Sequence, residues 1–167
     1  VTIQRAFVTV CLVLALSGFE VVKGEKPKPD QPGGERQEQN ALPQSKSPLW
    51  AKLAKCRVDY DSRKGLYSID LTGDVKALAG QTIDANGFIL PLDGSDKTKH
   101  FLLAKRTPVC LFCPPGEPNE VIEVQSKTAL DWVDDAVTVK GKFKLVNDGE
   151  KGVFFLMEDA ELVKGKS

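Results

Sequence analysis

The feature that most constrains the fold is a pair of strand-like runs, each broken by a glycine. Residues 81–91 read Gln-Thr-Ile-Asp-Ala-Asn-Gly-Phe-Ile-Leu-Pro. Up to Asn86 they alternate, with Ile83 and Ala85 on one side and Asp84 and Asn86 on the other; after Gly87 they are continuously apolar. Residues 136–145 carry Val137, Val139, Phe143 and Leu145 on one face and Thr138, Lys140, Lys142 and Lys144 on the other, with Gly141 between. A period of two marks a half-buried strand. A glycine inside one marks a bulge or a sharp bend. A bent strand can serve two faces of a sheet, as closing a small barrel demands.

The other strands fall on residues 100–104, 120–124 and 153–157. The loop Asn147-Asp-Gly-Glu-Lys-Gly152 joins the last two strands as a hairpin. Asp93-Gly-Ser-Asp96 is turn chemistry. Residues 127–132 fit a helical turn, and residues 66–71 fit either an extended piece or the start of a helix. Leu49, Trp50 and Leu53 place one apolar face of a short helix ahead of the strands. The expected architecture is mostly β: a small five-stranded OB-like barrel, one short helix after strand three and a short N-terminal helix. A small open sandwich is the alternative.

Two segments precede this domain. Residues 1–17 hold one basic residue, Arg5, then the apolar run Ala6-Phe-Val-Thr-Val-Cys-Leu-Val-Leu-Ala-Leu16 and the small Ser17, with the small Gly18 next. That is the pattern of a secretory signal peptide, with cleavage expected after Ser17. The alternative is an uncleaved anchor, but the run is shorter than the ~18–20 residues a spanning helix needs, which favours cleavage, and no membrane span is expected after it. Residues 18–47 are rich in Pro, Gly, Gln and charge and are expected to be a disordered linker. The folded small-β domain is expected over residues 48–164.

The chemistry concentrates between two strands, in Thr107-Pro-Val-Cys110-Leu-Phe-Cys113-Pro114-Pro115-Gly-Glu-Pro118-Asn119. This stretch, with residues 87–92 and 100–103 before it and 120–124 after it, resembles a family of exported bacterial proteins of unknown function. That family's motif reads Cys-Ile-His-x-Pro-Pro-Pro-Pro-Pro-Asn-Gln ahead of a strand. The likeness covers roughly residues 50–163. Here Phe112 stands where the family has His, and Cys113 stands where it has a small or β-branched residue, so Cys-x-His becomes Cys-x-x-Cys. The resemblance implies a periplasmic or cell-envelope address and a rough fold, but no established activity.

After export the thiols are Cys56, Cys110 and Cys113. Three readings stand. One is a structural disulfide pinning the loop, since export allows disulfides. The second is a metal site, because two thiolates spaced by two residues suit Zn(II) or Cu(I). Cys56 is a better third ligand than His100, because a five-residue strand carries His100 about 16 Å from its far end. The third is thiol–disulfide exchange. That chemistry favours a helix N-terminus for the thiol pair, whereas Pro114, Pro115 and Pro118 predict an extended loop. Pro114, Pro115, Pro118 and Asn119 are expected to form a rigid surface that meets a partner, or a plug over the barrel end.

Composition excludes other classes. Lys+Arg and Asp+Glu both number 23, and there is a single His. Balanced charge gives no pull toward nucleic acid, and a single imidazole builds no His-rich metal set and leaves few groups for catalysis. Asp59-Tyr-Asp61 lacks the later positions of a calcium loop, where Arg63 and Lys64 stand. The sequence therefore predicts an exported, non-enzymatic binding or accessory module acting through the 110–119 loop, with an envelope protein partner and metal handling as its sharpest form.

Overall fold

The structure is a computed structural model that describes residues 39–109 and 115–163, all within the unit Pro32–Ser167. In chain order the elements are helix α1 (Pro48–Leu53), β1 (Arg57–Asp61), β2 (Leu66–Asp70), helix α2 (Gly73–Lys76), β3 (Thr82–Pro91), β4 (Lys97–Ala104), a 3-10 turn (Pro118–Glu120), β5 (Val121–Asp131), β6 (Val137–Asp148) and β7 (Val153–Leu162).

Five strands close a barrel in the order β3-β4-β5-β7-β6, with β6 returning to β3. Four of the five pairings are antiparallel and β5–β7 is parallel. Counted along the barrel this is 1-2-3-5-4-1, a five-stranded Greek-key barrel of the OB kind. β1 and β2 form a separate antiparallel pair. That pair leans on the β6–β7 turn, where Tyr67 N–H donates to the Gly149 carbonyl at 2.8 Å.

Both glycine breaks sit where the barrel turns. Residues Thr82 to Gly87 pair with β6, and Phe88 to Pro91 pair with β4, so β3 changes partner at Gly87. A Cβ there would lie 2.6 Å from the Ala104 carbonyl oxygen and 3.0 Å from Leu103 Cγ. A Cβ on Gly141 would lie 2.6 Å from Met157 Cγ and 2.8 Å from the Glu158 carbonyl oxygen. Only glycine admits these close approaches.

The partner change leaves β3 backbone groups to satisfy, and the segment ahead of the barrel satisfies them. Trp50 Nε1 donates to the Asn86 carbonyl at 2.7 Å. The Ser45 hydroxyl lies 2.7 Å from the same oxygen and 2.8 Å from Asn86 Oδ1. Asn86 in turn donates its amide to the Val137 carbonyl and Thr138 Oγ1, both at 3.1 Å. Gln44 bridges Arg106, and Ser45 N–H donates to the Lys105 carbonyl at 2.8 Å. Residues 39–47, expected to be the end of a linker, are therefore a packed strap: Gln39 and Ser45 are buried.

The core holds Ala85, Phe101, Leu103, Ile122, Val124, Val139, Phe143, Phe154, Phe155 and Met157 from the barrel. Leu49, Trp50 and Leu53 from α1 and Val75 from α2 join it. The expected helix after strand three does not form. Residues 127–131 continue β5, with Leu130 opposite Thr98 and Asp131 opposite Lys97. Cross-strand pairing and the burial of Leu130 outweigh a weak local helical preference. The helices that do pack on the core are α1 and α2. Residues 66–70, undecided from sequence, are strand β2.

Candidate functional site

The residues of the long β4–β5 connection are gathered at its neck. Lys105 and Arg106 leave β4 and Glu120 leads into β5, because Ala104 lies opposite Val121. Arg106 holds the Glu120 carboxylate with both arms of its fork, Nε to Oε2 and Nη2 to Oε1, each 2.9 Å. Lys105 Nζ reaches Oε1 at 3.2 Å, and Lys105 N–H donates to the Glu120 carbonyl at 3.0 Å. Glu120 also closes a reciprocal cap with Glu117 around the 3-10 turn. Burial alone would raise the Glu120 pKa, but the hydrogen bonds and charges of Arg106 and Lys105 reverse that and hold it at about 2.

The strap reinforces the neck. Gln39 Nε2 donates to the Pro115 carbonyl at 2.9 Å and to the Thr107 carbonyl at 3.2 Å, tying the outgoing and returning arms together. Asn40 Oδ1 accepts from Arg106 Nη1, and the Thr107 hydroxyl donates to the Pro43 carbonyl at 2.7 Å.

Cys110, Cys113 and Pro114 lie outside the described residues. Cys56 is buried, 2% exposed, and is a free thiol. Its carbonyl accepts from Asn119 Nδ2 at 2.9 Å, which places Cys56 beside the returning arm of the loop. The described residues of the loop's returning arm pack inward. Pro115 and Pro118 are buried, and Asn119 is half-buried with its amide committed to Cys56. Proline rings at a barrel end bury apolar surface as any hydrocarbon does. His100 points elsewhere: its Nε2 lies 2.5 Å from Glu123 Oε1 on the exposed β4–β5 face. Among the described residues, no group of three or more His, Cys, Asp or Glu is placed to hold a metal ion. No helix among them is long and apolar enough to cross a membrane.

A hollow of about 280 Å³ opens beside the outgoing arm. Phe88, Ile89 and Leu90, where β3 has parted from β6, line it together with Pro108 and Val109 and with Trp132, Val133 and Asp134 of the β5–β6 connection.

The chain matches the profile described as "Protein of unknown function (DUF3299)" over residues 31–154. The chain belongs to the DUF3299 family. It is also similar to the crystal structure of a DUF3299 family protein from Pseudomonas aeruginosa PAO1, at 21% identity and a TM-score of 0.46, covering 78% of this chain and 83% of that one. No curated protein matches it. The DUF3299 match begins at residue 31, so it takes in the strap as well as most of the barrel.

Two features of this DUF3299 chain lie outside the expected site residues. The Glu120 clamp had a signal, since a Lys-Arg pair and a glutamate bracket the cysteine–proline stretch. The hollow lined by Trp132 had none, because residues 127–132 read as a helical turn.

Proposed function

We propose that the protein is exported and works as a non-enzymatic binding or accessory module through the 110–119 loop, with metal handling by Cys110 and Cys113 as its sharpest form. The Glu120 clamp carries this reading. Two cations and a buried carboxylate fix both arms of a loop that holds two of the chain's thiols, giving it a rigid base. The Cys-x-x-Cys-Pro-Pro run, read as a variant of the exported family's Cys-x-His motif, supplies a soft ligand pair for Zn(II) or Cu(I). The Asn119 bond to Cys56 supports Cys56 as the third sulfur.

The enzymatic alternative, thiol–disulfide exchange by the same two cysteines, needs a depressed thiol pKa. Titration with a thiol reagent tests it. The proposal expects ordinary thiols, near ~8.5, and no turnover with a dithiol donor. A strongly acidic thiol with turnover overturns the non-enzymatic reading. A disulfide-stapled loop is the remaining alternative, and the intact mass of protein from its export compartment, two hydrogens light and without metal, identifies it.

A further inference from the structure

We propose that the hollow lined by Trp132 docks a partner's polypeptide segment in which an apolar side chain adjoins a lysine or arginine. This goes beyond the loop reading and stands on other residues. Val109, Trp132 and Val133 all line the one hollow and remain 45%, 45% and 41% exposed. Three large apolar side chains around one concavity, one of them tryptophan, make the kind of anchor pocket that interfaces use. A space of about 280 Å³ accepts one or two side chains rather than a globular surface.

Charge decides the occupant. Asp134 stands on the wall and Asp135 follows it. The Asp96 backbone carbonyl accepts from Trp132 N–H at 2.8 Å, so a third acidic residue neighbours Trp132, outside the lining itself. None of the three makes an ion pair among the described residues, whereas Asp131 close by is matched by Lys97 at 3.0 Å. An acyl chain seated here would shield Asp134 from water and return nothing, which is unfavourable. A second copy meeting through the same face would set these carboxylates against their own images. An apolar side chain beside a cation fills the hollow and answers the charge.

The test is selection of a random peptide library displayed on phage against the full chain, with recovered peptides resynthesised and titrated. Trp50 is buried, so a shift in exposed tryptophan emission reports Trp132. The proposal expects recovered peptides to share an apolar residue next to Lys or Arg, and their titration to shift the emission to the blue. It expects affinity to fall at least tenfold in Trp132→Ala and in Asp134→Lys, and to weaken with added salt. Both substitutions change exposed side chains, and an unaltered melting curve checks each. Recovery of no peptides, or of peptides without cations, overturns the proposal. So does full affinity in Trp132→Ala. Sodium laurate binding in place of peptides assigns the hollow to an acyl chain, and self-association abolished by Trp132→Ala assigns it to a second copy; either overturns it too.

Discussion

Arg106 grips Glu120 through two parallel N–H···O bonds of 2.9 Å, and that pair closes the neck of the cysteine–proline loop. The geometry is the bidentate fork that makes arginine–carboxylate pairs strong. Both side chains are largely buried, at 15% and 10% exposed, so solvent screens them little.

The clamp makes stability depend on acid. Glu120 has its pKa lowered to about 2 from an ordinary value of 4.5. A carboxylate held below its unfolded value stabilises the fold fully above the unfolded value, and that stability is lost as pH falls toward the folded one. The shift corresponds to roughly 3 kcal/mol at neutral pH. Chemical denaturation at several pH values is expected to show this loss between about pH 5 and pH 2. Glu120→Gln is expected to be less stable at pH 7 by roughly 2–4 kcal/mol, because it leaves Arg106 and Lys105 without their counter-charge. The variant is also expected to lose most of the slope in that acid range. An unchanged slope would show that the clamp is not the titrating element.

Gly87 is the corner of the barrel. A methyl group there meets the Ala104 carbonyl oxygen at 2.6 Å, and neither backbone can retreat without breaking the β3–β4 ladder. Gly87→Ala is expected to cost about 3 kcal/mol or more, at the upper end for overpacking. Gly73→Ala is the control, since a Cβ there meets nothing within 4 Å. Equilibrium denaturation of the two variants measures the difference. Equal stabilities would contradict the corner.

The Trp50 indole is a hydrogen-bond donor as well as a core ring. Trp50→Phe keeps most of the buried surface and removes the 2.7 Å bond to the Asn86 carbonyl. The expected loss is about 1–2 kcal/mol. Amide exchange is expected to accelerate where β3 meets β6, at Gly87 and Val137, more than in β7. Uniform acceleration would mean that Trp50 acts by packing alone.

These residues also show what the sequence made legible. Gly87 and Gly141 marked strands that turn a corner. Alternation before Gly87 and continuous apolar sequence after it fit a strand that leaves a half-exposed face for a buried one, and the barrel follows from that bend. Residues 127–131 were illegible, because their strand state depends on Lys97 and Thr98 across the ladder, some thirty positions away. The strap was illegible for a related reason. Gln39 and Ser45 sit in a polar, proline-containing stretch that reads as a linker, and their order comes from bonds to Thr107, Pro115 and Asn86. At the candidate site, cysteine and proline spacing marked the loop and left open whether its prolines face a partner or the barrel end, because the burial of Pro115 and Pro118 depends on contacts that no local pattern encodes.

The claim that the loop thiols act as a ligand pair is tested most directly by native intact mass. The reduced full chain is given one equivalent of Zn(II), beside Cys110→Ser treated in the same way. The account predicts one retained metal ion in the first and none in the second, with Cys56→Ser weakened as the third sulfur. Equal retention by the wild-type chain and Cys110→Ser would contradict it.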